Sequence, residues 1–336
     1  MTAPLVLSVG DPAGIGPEVA VEACLRERPA SGVVLVGDAL DLGRRLGARA
    51  RRLRGDEDWR LEPHEIAIAH VCEVPESVVR AHAPSVEGGR AQLAFLDAAI
   101  DAVQAGRASA LVTGPTSKQA ISLGGEPFSG QTEHLARRSG LAPDAVTMLF
   151  LGPTLRVALV TTHVAIRDLP EAVSPARVER AIVHLVEVLE ALRGKARPVE
   201  ALRVAVVGLN PHAGEGGLFG DEESLTIAPA IRAARLRLAA VSGVMRSTIA
   251  GPVPAEAAFR QAVAGRWDGV VAMMHDQATI ASKLLDFGEA VNVTWGLPFV
   301  RASVDHGVAY DAAVSGSADA SGMMAALRMA QRLIPG

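Results

Sequence analysis

With 336 residues, 49% of them hydrophobic and 21% charged, the chain has enough apolar content to bury one large core or two moderate ones, and two lobes are expected. A net charge of −4, a pI near 6.2 and only 3% aromatic residues argue against binding nucleic acid or an anionic membrane surface, and no apolar stretch approaches a membrane span, so a small molecule is the expected partner. The two cysteines, Cys24 and Cys72, offer neither a metal spacing nor a redox pair and fit a reducing, cytoplasmic compartment.

The first element is the apolar run LVLSV at 5–9, followed by GDPAGIGPE at 10–18 and a helical run, EVAVEACLRE, at 18–27. A glycine-rich turn between strand and helix is where a dinucleotide phosphate binds, and Asp38, closing VVLVGD, stands where a ribose-binding acid would. The spacing does not comply. Val19 fills a position that a Rossmann turn keeps small, and Pro17 follows Gly16 where a Walker loop needs lysine. Two readings stand at this point: a degenerate Rossmann turn, or a plain strand-to-helix connection with Pro17 in the first helical turn. The basic run RRLGARARRLRG at 44–55 is expected to be a solvated helix face. His64, His70 and His82 beyond it, and His184 inside a later helix, are expected to be structural.

Short apolar runs then alternate with helical patterns: ALVTG at 110–114, TMLFLG at 147–152, RVALVTT at 156–162, RVAVVGL at 203–209 and DGVVAMM at 268–274, with the helix ARVERAIVHLVEVLEALR at 176–193. Continuous apolar runs of this length predict parallel strands buried on both faces, and hence an α/β protein. The residues just past each strand carry the chemistry. RVALVTT runs into His163, RVAVVGLNP into His212 and DGVVAMM into His275, while ALVTG runs into Pro115, Thr116, Ser117 and Lys118. Ligands of open α/β sheets bind beyond the carboxyl ends of the strands, and three histidines sharing that address leave a zinc ion an open fourth position for a substrate oxygen. Asp276 and Gln277 are expected to orient the His275 imidazole or a bound water. NPHAGEGG at 210–217 reads as an anion-binding nest or, since no lysine, serine or threonine follows, as an irregular loop that lets His212 approach a metal. Lys283, Asn292 and Arg301 supply two cations and an amide suited to gripping a phosphate or carboxylate.

GDPAGIGPE, TGPTSK, TTHVAIRDLPEAVS, LNPHAGEGG, HDQ and GLPFVRASVDHG occur in the order and spacing of the 4-hydroxythreonine-4-phosphate dehydrogenase family of vitamin B6 synthesis, and the resemblance covers nearly the whole chain, most weakly over about 40–85. It implies a two-domain α/β/α protein, isocitrate/isopropylmalate dehydrogenase-like, with largely parallel sheets and its active site in the interdomain cleft. The expected domains are 1–125 with 300–336 on the cofactor side, and 126–299 carrying metal, substrate and dimer interface. The resemblance further implies a metal-requiring, NAD-dependent homodimer with shared active sites and metal ligands drawn from both subunits. Those ligands fall on His163, His212 and His275, with zinc the expected metal and cobalt, manganese or magnesium the alternatives. The family's substrate-binding residues fall on Lys283, Asn292 and Arg301, and Lys283 is also the candidate for proton transfer.

This chain departs from the family at several positions. Where the family usually reads GHTE, it has Gly130, Gln131, Thr132 and Glu133, so a neutral amide replaces the substrate-contacting imidazole while Thr132 remains. The acid expected after GPLPA falls on Glu256, in GPVPAE, a candidate catalytic carboxylate, and Ala302 and Val308 replace the usual threonines. DHGVAYDAAVSG at 305–316 resembles the adenosine-binding loop of isopropylmalate-type dehydrogenases, which makes Asp305, His306, Gly307 and Asp311 the cofactor candidates, Asp311 for the ribose hydroxyls. Those enzymes also open on a GD-x-GIGPE turn and bind NAD without a Rossmann fingerprint, leaving Asp11 a candidate for contact with the cleft. The implied activity is NAD-linked oxidation of 4-hydroxythreonine-4-phosphate with decarboxylation to 3-amino-2-oxopropyl phosphate. The alternative is the same chemistry on 4-phosphoerythronate, 4-phosphothreonate or a cis-dihydrodiol dicarboxylate. A metabolite-binding homologue without turnover is a third reading, against which the retained histidines and Lys283 weigh.

Overall fold

The structure is a computed structural model and describes residues 3–54, 59–194, 201–241 and 247–334. By compactness the chain divides into residues 1–145 with 297–336, and residues 146–296, whereas the sequence expectation drew its lines at 125/126 and 299/300. The first unit holds strands β1 (Leu5–Ser8), β2 (Val33–Gly37), β3 (Arg51–Arg52), β4 (Ile66–His70), β5 (Ala110–Thr113) and β12 (Val300–Ser303), in the order β3-β4-β2-β1-β5-β12 and all parallel. Leu5, Val6, Leu7, Val33, Val34, Leu111 and Val112 are fully buried, which is why these strands read as unbroken apolar runs rather than alternating ones. The helix Val86–Gln104 covers them with Phe95, Leu96 and Ile100, and truncating Phe95 to alanine should cost about 3–5 kcal/mol.

The second unit holds β6 (Thr147–Leu151), β7 (Arg156–Leu159), β8 (Leu202–Val207), β9 (Ser247–Val253), β10 (Gly269–Ala272) and β11 (Val291–Trp295), in the order β11-β6-β7-β10-β8-β9. Strands β7, β10, β8 and β9 are parallel, but β6 is antiparallel to both neighbours, against the expectation for TMLFLG. A tight turn reverses the chain after β6: Gly152 N–H donates to Leu155 O at 2.9 Å, and the buried Asp286 carboxylate accepts from Thr154 and Leu155 N–H. Burial on both faces hides strand direction from the sequence. Helix Pro175–Arg193, capped by Ser174, packs Val178, Ile182 and Leu185 inward. Its His184 meets Thr147 Oγ1 at 2.9 Å, and burial, with Arg180 and Arg237 nearby, pushes the imidazole down to about 4. It is neutral at pH 7 and hydrogen-bonded within this unit.

Two sequence readings need correction. The basic run is not one helix face: the helix Ala39–Leu46 stops at Gly47, a short turn follows, and Arg51–Arg52 forms β3. Its arginines are divided among partners, Arg45 with Asp41 and Arg51 with Glu65, each at 2.8 Å, and residue 55 lies outside the described residues. Asp38 is no ribose ligand in waiting. Its two oxygens cap the helix at Leu40 N–H (2.8 Å) and hold Val74 N–H (3.0 Å), which removes the acid that the Rossmann reading needed. No helix among the described residues is long and apolar enough to cross a membrane.

Candidate active site

Strands β7, β10 and β8 are parallel neighbours, so their carboxyl ends emerge side by side. The ends are tied together: Val160 N–H donates to Ala272 O (2.9 Å), and Thr161 Oγ1 donates to Met273 O (2.7 Å). That frame delivers His163 and His275 with ring centroids 5.4 Å apart and planes tilted by 40°. His275 opens the helix His275–Leu285, and its Nδ1 meets Asp276 Oδ1 at 2.8 Å, so that carboxylate orients the ring, and with the proton on Nδ1 the lone pair falls on Nε2. Gln277 does something else. Its Oε1 accepts from Met273 and Met274 N–H while Nε2 donates to Gly208 O, joining the helix start to the end of β8.

His212 stands at the start of an unusual turn. Residues 212–217 all have positive φ, from 43° to 100°, and three of them, His212, Ala213 and Glu215, are not glycine. Each such residue costs about 1–2 kcal/mol, so the turn persists only because its surroundings hold it. A run of left-handed residues is also not the alternating pattern of an anion nest. The anchor is Asn210, whose N–H donates to Glu223 Oε1 (2.8 Å) and whose Nδ2 donates to Glu222 Oε2 (2.6 Å) and Glu223 Oε2 (3.0 Å). Nothing in the local spacing of the sequence marks Glu223 for this task. The His212 ring lies beside Phe219, at 6.4 Å, rather than beside the other two histidines. Among the described residues no group of three or more His, Cys, Asp or Glu side chains is close enough to hold a metal ion. The donor set thus fits a metal in part, with two imidazoles converged and the third on the adjacent strand end.

In the other unit, Arg301 on β12 is 3% exposed. Its Nη2 donates to Thr113 Oγ1 (2.8 Å) and to Gln131 Oε1 (2.6 Å), and its Nε donates to Thr113 Oγ1 (3.2 Å). Burial pushes the guanidinium down to about 9, opposed by the Glu133 carboxylate, so it remains a cation at neutral pH. Gln131, at the start of the helix Gln131–Arg138, also donates through Nε2 to Gly114 O (2.9 Å) and Thr116 Oγ1 (3.0 Å). Its acceptor and both donor hydrogens are therefore engaged. Sequence reading missed Thr113 and Thr116 as partners of Arg301 and Gln131, although both lie inside the TGPTSK motif. Thr132 is half-buried beside them.

The remaining candidates are more scattered. Lys283 is exposed in the last turn of His275–Leu285, and Glu256 is exposed in the first turn of Ala255–Val263. Asn292 on β11 has a buried Oδ1 without a hydrogen-bond partner among the described residues. His306, Gly307 and Asp311 are exposed and Asp305 is half-buried, and a Cβ added to Gly307 would meet nothing within 4 Å. The GDPAGIGPE turn lies against this loop: Ile15 N–H donates to Val308 O at 3.0 Å. Asp11, named in the sequence for cleft contact, has its oxygens committed to Ala13, Gln92 and Tyr310.

A family model described as pyridoxal phosphate biosynthetic protein PdxA matches residues 32–330. The 4-hydroxythreonine-4-phosphate dehydrogenase of Desulfosudis oleivorans is 40% identical, over 97% of this chain and 95% of its own. The solved structure of 4-hydroxythreonine-4-phosphate dehydrogenase from Klebsiella pneumoniae aligns with a TM-score of 0.78 at 33% identity, covering 99% of this chain and 100% of that one. A terephthalate 1,2-cis-dihydrodiol dehydrogenase structure from Burkholderia xenovorans aligns at 0.67 and 29% identity, covering 99% and 98%. With a family model over most of its length and a relative at 40% identity over nearly all of it, the chain belongs to the PdxA family of pyridoxal phosphate biosynthetic proteins.

Proposed function

We propose that this protein oxidises the hydroxyl of 4-hydroxythreonine-4-phosphate with NAD and decarboxylates the resulting β-keto acid to 3-amino-2-oxopropyl phosphate, as a metal-dependent homodimer. The observation that carries the reading is the His163–His275 pair, 5.4 Å apart at the ends of neighbouring parallel strands, in a chain of this family. His163, His212 and His275 would hold a divalent cation, zinc by preference for an all-imidazole set, which would stabilise negative charge on the reacting oxygen, with a bound dinucleotide as the acceptor of the hydride.

The chain's own residues do the rest. Asp276 holds the His275 ring at Nδ1, which orients it and, in the neutral imidazole, puts the lone pair on Nε2, the tautomer a ligand requires. Arg301, fixed by Thr113 and Gln131, takes the phosphate, with Thr132 beside it. Asn292 offers its unpartnered Oδ1 to a substrate donor, a buried acceptor that binding would satisfy. Lys283 moves the proton at Nζ, and Glu256 is the second candidate for that work. Asp305, His306, Gly307 and Asp311 take the adenosine end, in the open space around Gly307. A homodimer is supported by Ile280, Leu284 and Phe287, which are 60%, 80% and 85% exposed on and just beyond the helix that His275 opens.

The test is NAD reduction and carbon dioxide release by purified protein across 4-hydroxythreonine-4-phosphate, 4-phosphoerythronate, 4-phosphothreonate and a cis-dihydrodiol dicarboxylate, with and without chelator. The expected result is turnover that favours the first, disappears with chelation and returns with zinc, cobalt or manganese. Turnover confined to another substrate would support the second reading, the same chemistry elsewhere. What favours that reading is Gln131, a neutral and fully engaged amide where the family carries an imidazole.

A further inference from the structure

The turn after β1 and the loop after β12 are fastened together by polar groups that the chemistry above does not use. Asp11 is 1% exposed, and its Oδ1 accepts from Ala13 N–H at 2.9 Å. Its Oδ2 accepts from Gln92 Nε2 at 3.0 Å and from the Tyr310 hydroxyl at 2.7 Å, across 299 residues of sequence. Gln92, fully buried, in turn accepts Ser117 N–H through Oε1 at 2.7 Å. Burial pushes the Tyr310 phenol up, and the Asp11 carboxylate pushes it the same way, so the hydroxyl stays protonated and donates. Beside this bond, Gly14 approaches so closely that a Cβ would stand 2.5 Å from Val308 O.

Tyr310 is the only tyrosine of the chain, and it opens the helix Tyr310–Ser315 one residue ahead of Asp311. Ala309 before it is held at φ 43°, a conformation that a non-glycine residue keeps only under constraint. The tip of the loop, at His306 and Gly307, is exposed. An unfastened loop of this kind loses conformational freedom when it takes a ligand, whereas a fastened one has met that cost on folding. We infer that the Asp11–Tyr310 hydrogen bond is a positioning latch: it holds the 305–311 loop in the one shape that receives the adenosine end of a dinucleotide. The inference rests on the cofactor role proposed above for that loop, and it makes Asp11 and Tyr310 positioning residues that touch no substrate.

The experiment uses the full chain with Tyr310→Phe, which removes a single oxygen, and Asp11→Asn as a second variant. Amide hydrogen exchange over 305–311 without ligand reads the latch. Calorimetric titration with NAD reads its consequence, and the KM of the hydroxy-acid substrate serves as control. In Tyr310→Phe we expect exchange to quicken and the Kd for NAD to rise, each about tenfold, with the substrate KM within about twofold. Unchanged exchange in both variants overturns the latch. Faster exchange with unaltered NAD affinity overturns its role in cofactor binding. If the wild-type protein binds no dinucleotide, the cofactor reading itself fails, and the exchange measurement still decides whether the hydrogen bond holds the loop.

Discussion

The surroundings of Arg301 and the three-histidine end of the other unit are built to opposite plans. Around Arg301 the side chains hold one another: a threonine hydroxyl and a glutamine amide oxygen accept from the Nε and Nη2 of a buried cation. At the histidine end, two rings have converged and His212 has not joined them. Donors and acceptors hold one another in place by hydrogen bonds, whereas imidazoles that each offer a lone pair have no hydrogen bond to make with one another.

The contrast is broken most severely at His275. His275→Ala should abolish tightly bound metal and lower turnover by about a thousandfold or more, checked by elemental analysis and steady-state rates. Next comes the other side of the comparison. Arg301→Lys keeps the charge but loses the fork that reaches Thr113 and Gln131, and should raise the KM for a phosphorylated substrate by about ten- to a hundredfold, and much less for an analogue without the phosphate. Asp276→Asn, which leaves every ligand in place, should weaken metal binding by about tenfold, measured by competition with a chelating dye. Gln131→His sharpens the comparison from within: a neutral imidazole has one donor and one acceptor, so it cannot make all three of the glutamine's hydrogen bonds. That variant should lose about 1 kcal/mol of stability and gain a pH-dependent substrate KM near neutrality.

A further effect lies away from both sites and bears on stability rather than on activity. His184 is held near 4 in the folded protein, below its ordinary 6.5, so the unfolded chain binds its proton first as pH falls. Its contribution is therefore complete above about pH 6.5 and is lost between there and pH 4, amounting to a few kcal/mol at most. Thermal melts of wild type and His184→Gln should diverge from one another across that window and run parallel above it.

Much of the architecture was legible because short runs of Val, Leu and Ile bounded by turn residues read as buried strands, and the histidines were legible because they come directly after such runs. The antiparallel course of β6 was not, since a strand buried on both faces looks alike in either direction. β9 and β11, where Ser, Thr, Asn, Gly or Pro interrupt the apolar residues, went unread, as did β4, β12 and the two-residue β3. At the site, the Asp276 contact to His275 was readable from adjacency. The clamp of Glu223 on Asn210 and the reach of Tyr310 to Asp11 were not, because each joins residues that only the folded chain brings together. The failed Rossmann spacing of GDPAGIGPE has a physical reason as well: Gly10, at φ 81°, and Gly14 are there for close backbone approach to Pro115 and Val308 rather than for a phosphate.

The central claim, that His163, His212 and His275 together hold the metal on which oxidation depends, is tested most directly by measuring bound metal and NAD reduction on the same preparations of wild type and the three single alanine variants. The account predicts stoichiometric divalent metal and 4-hydroxythreonine-4-phosphate-dependent NAD reduction in the wild type, and loss of both in every variant. Full metal occupancy in any one of the three, or undiminished turnover without metal, would contradict it.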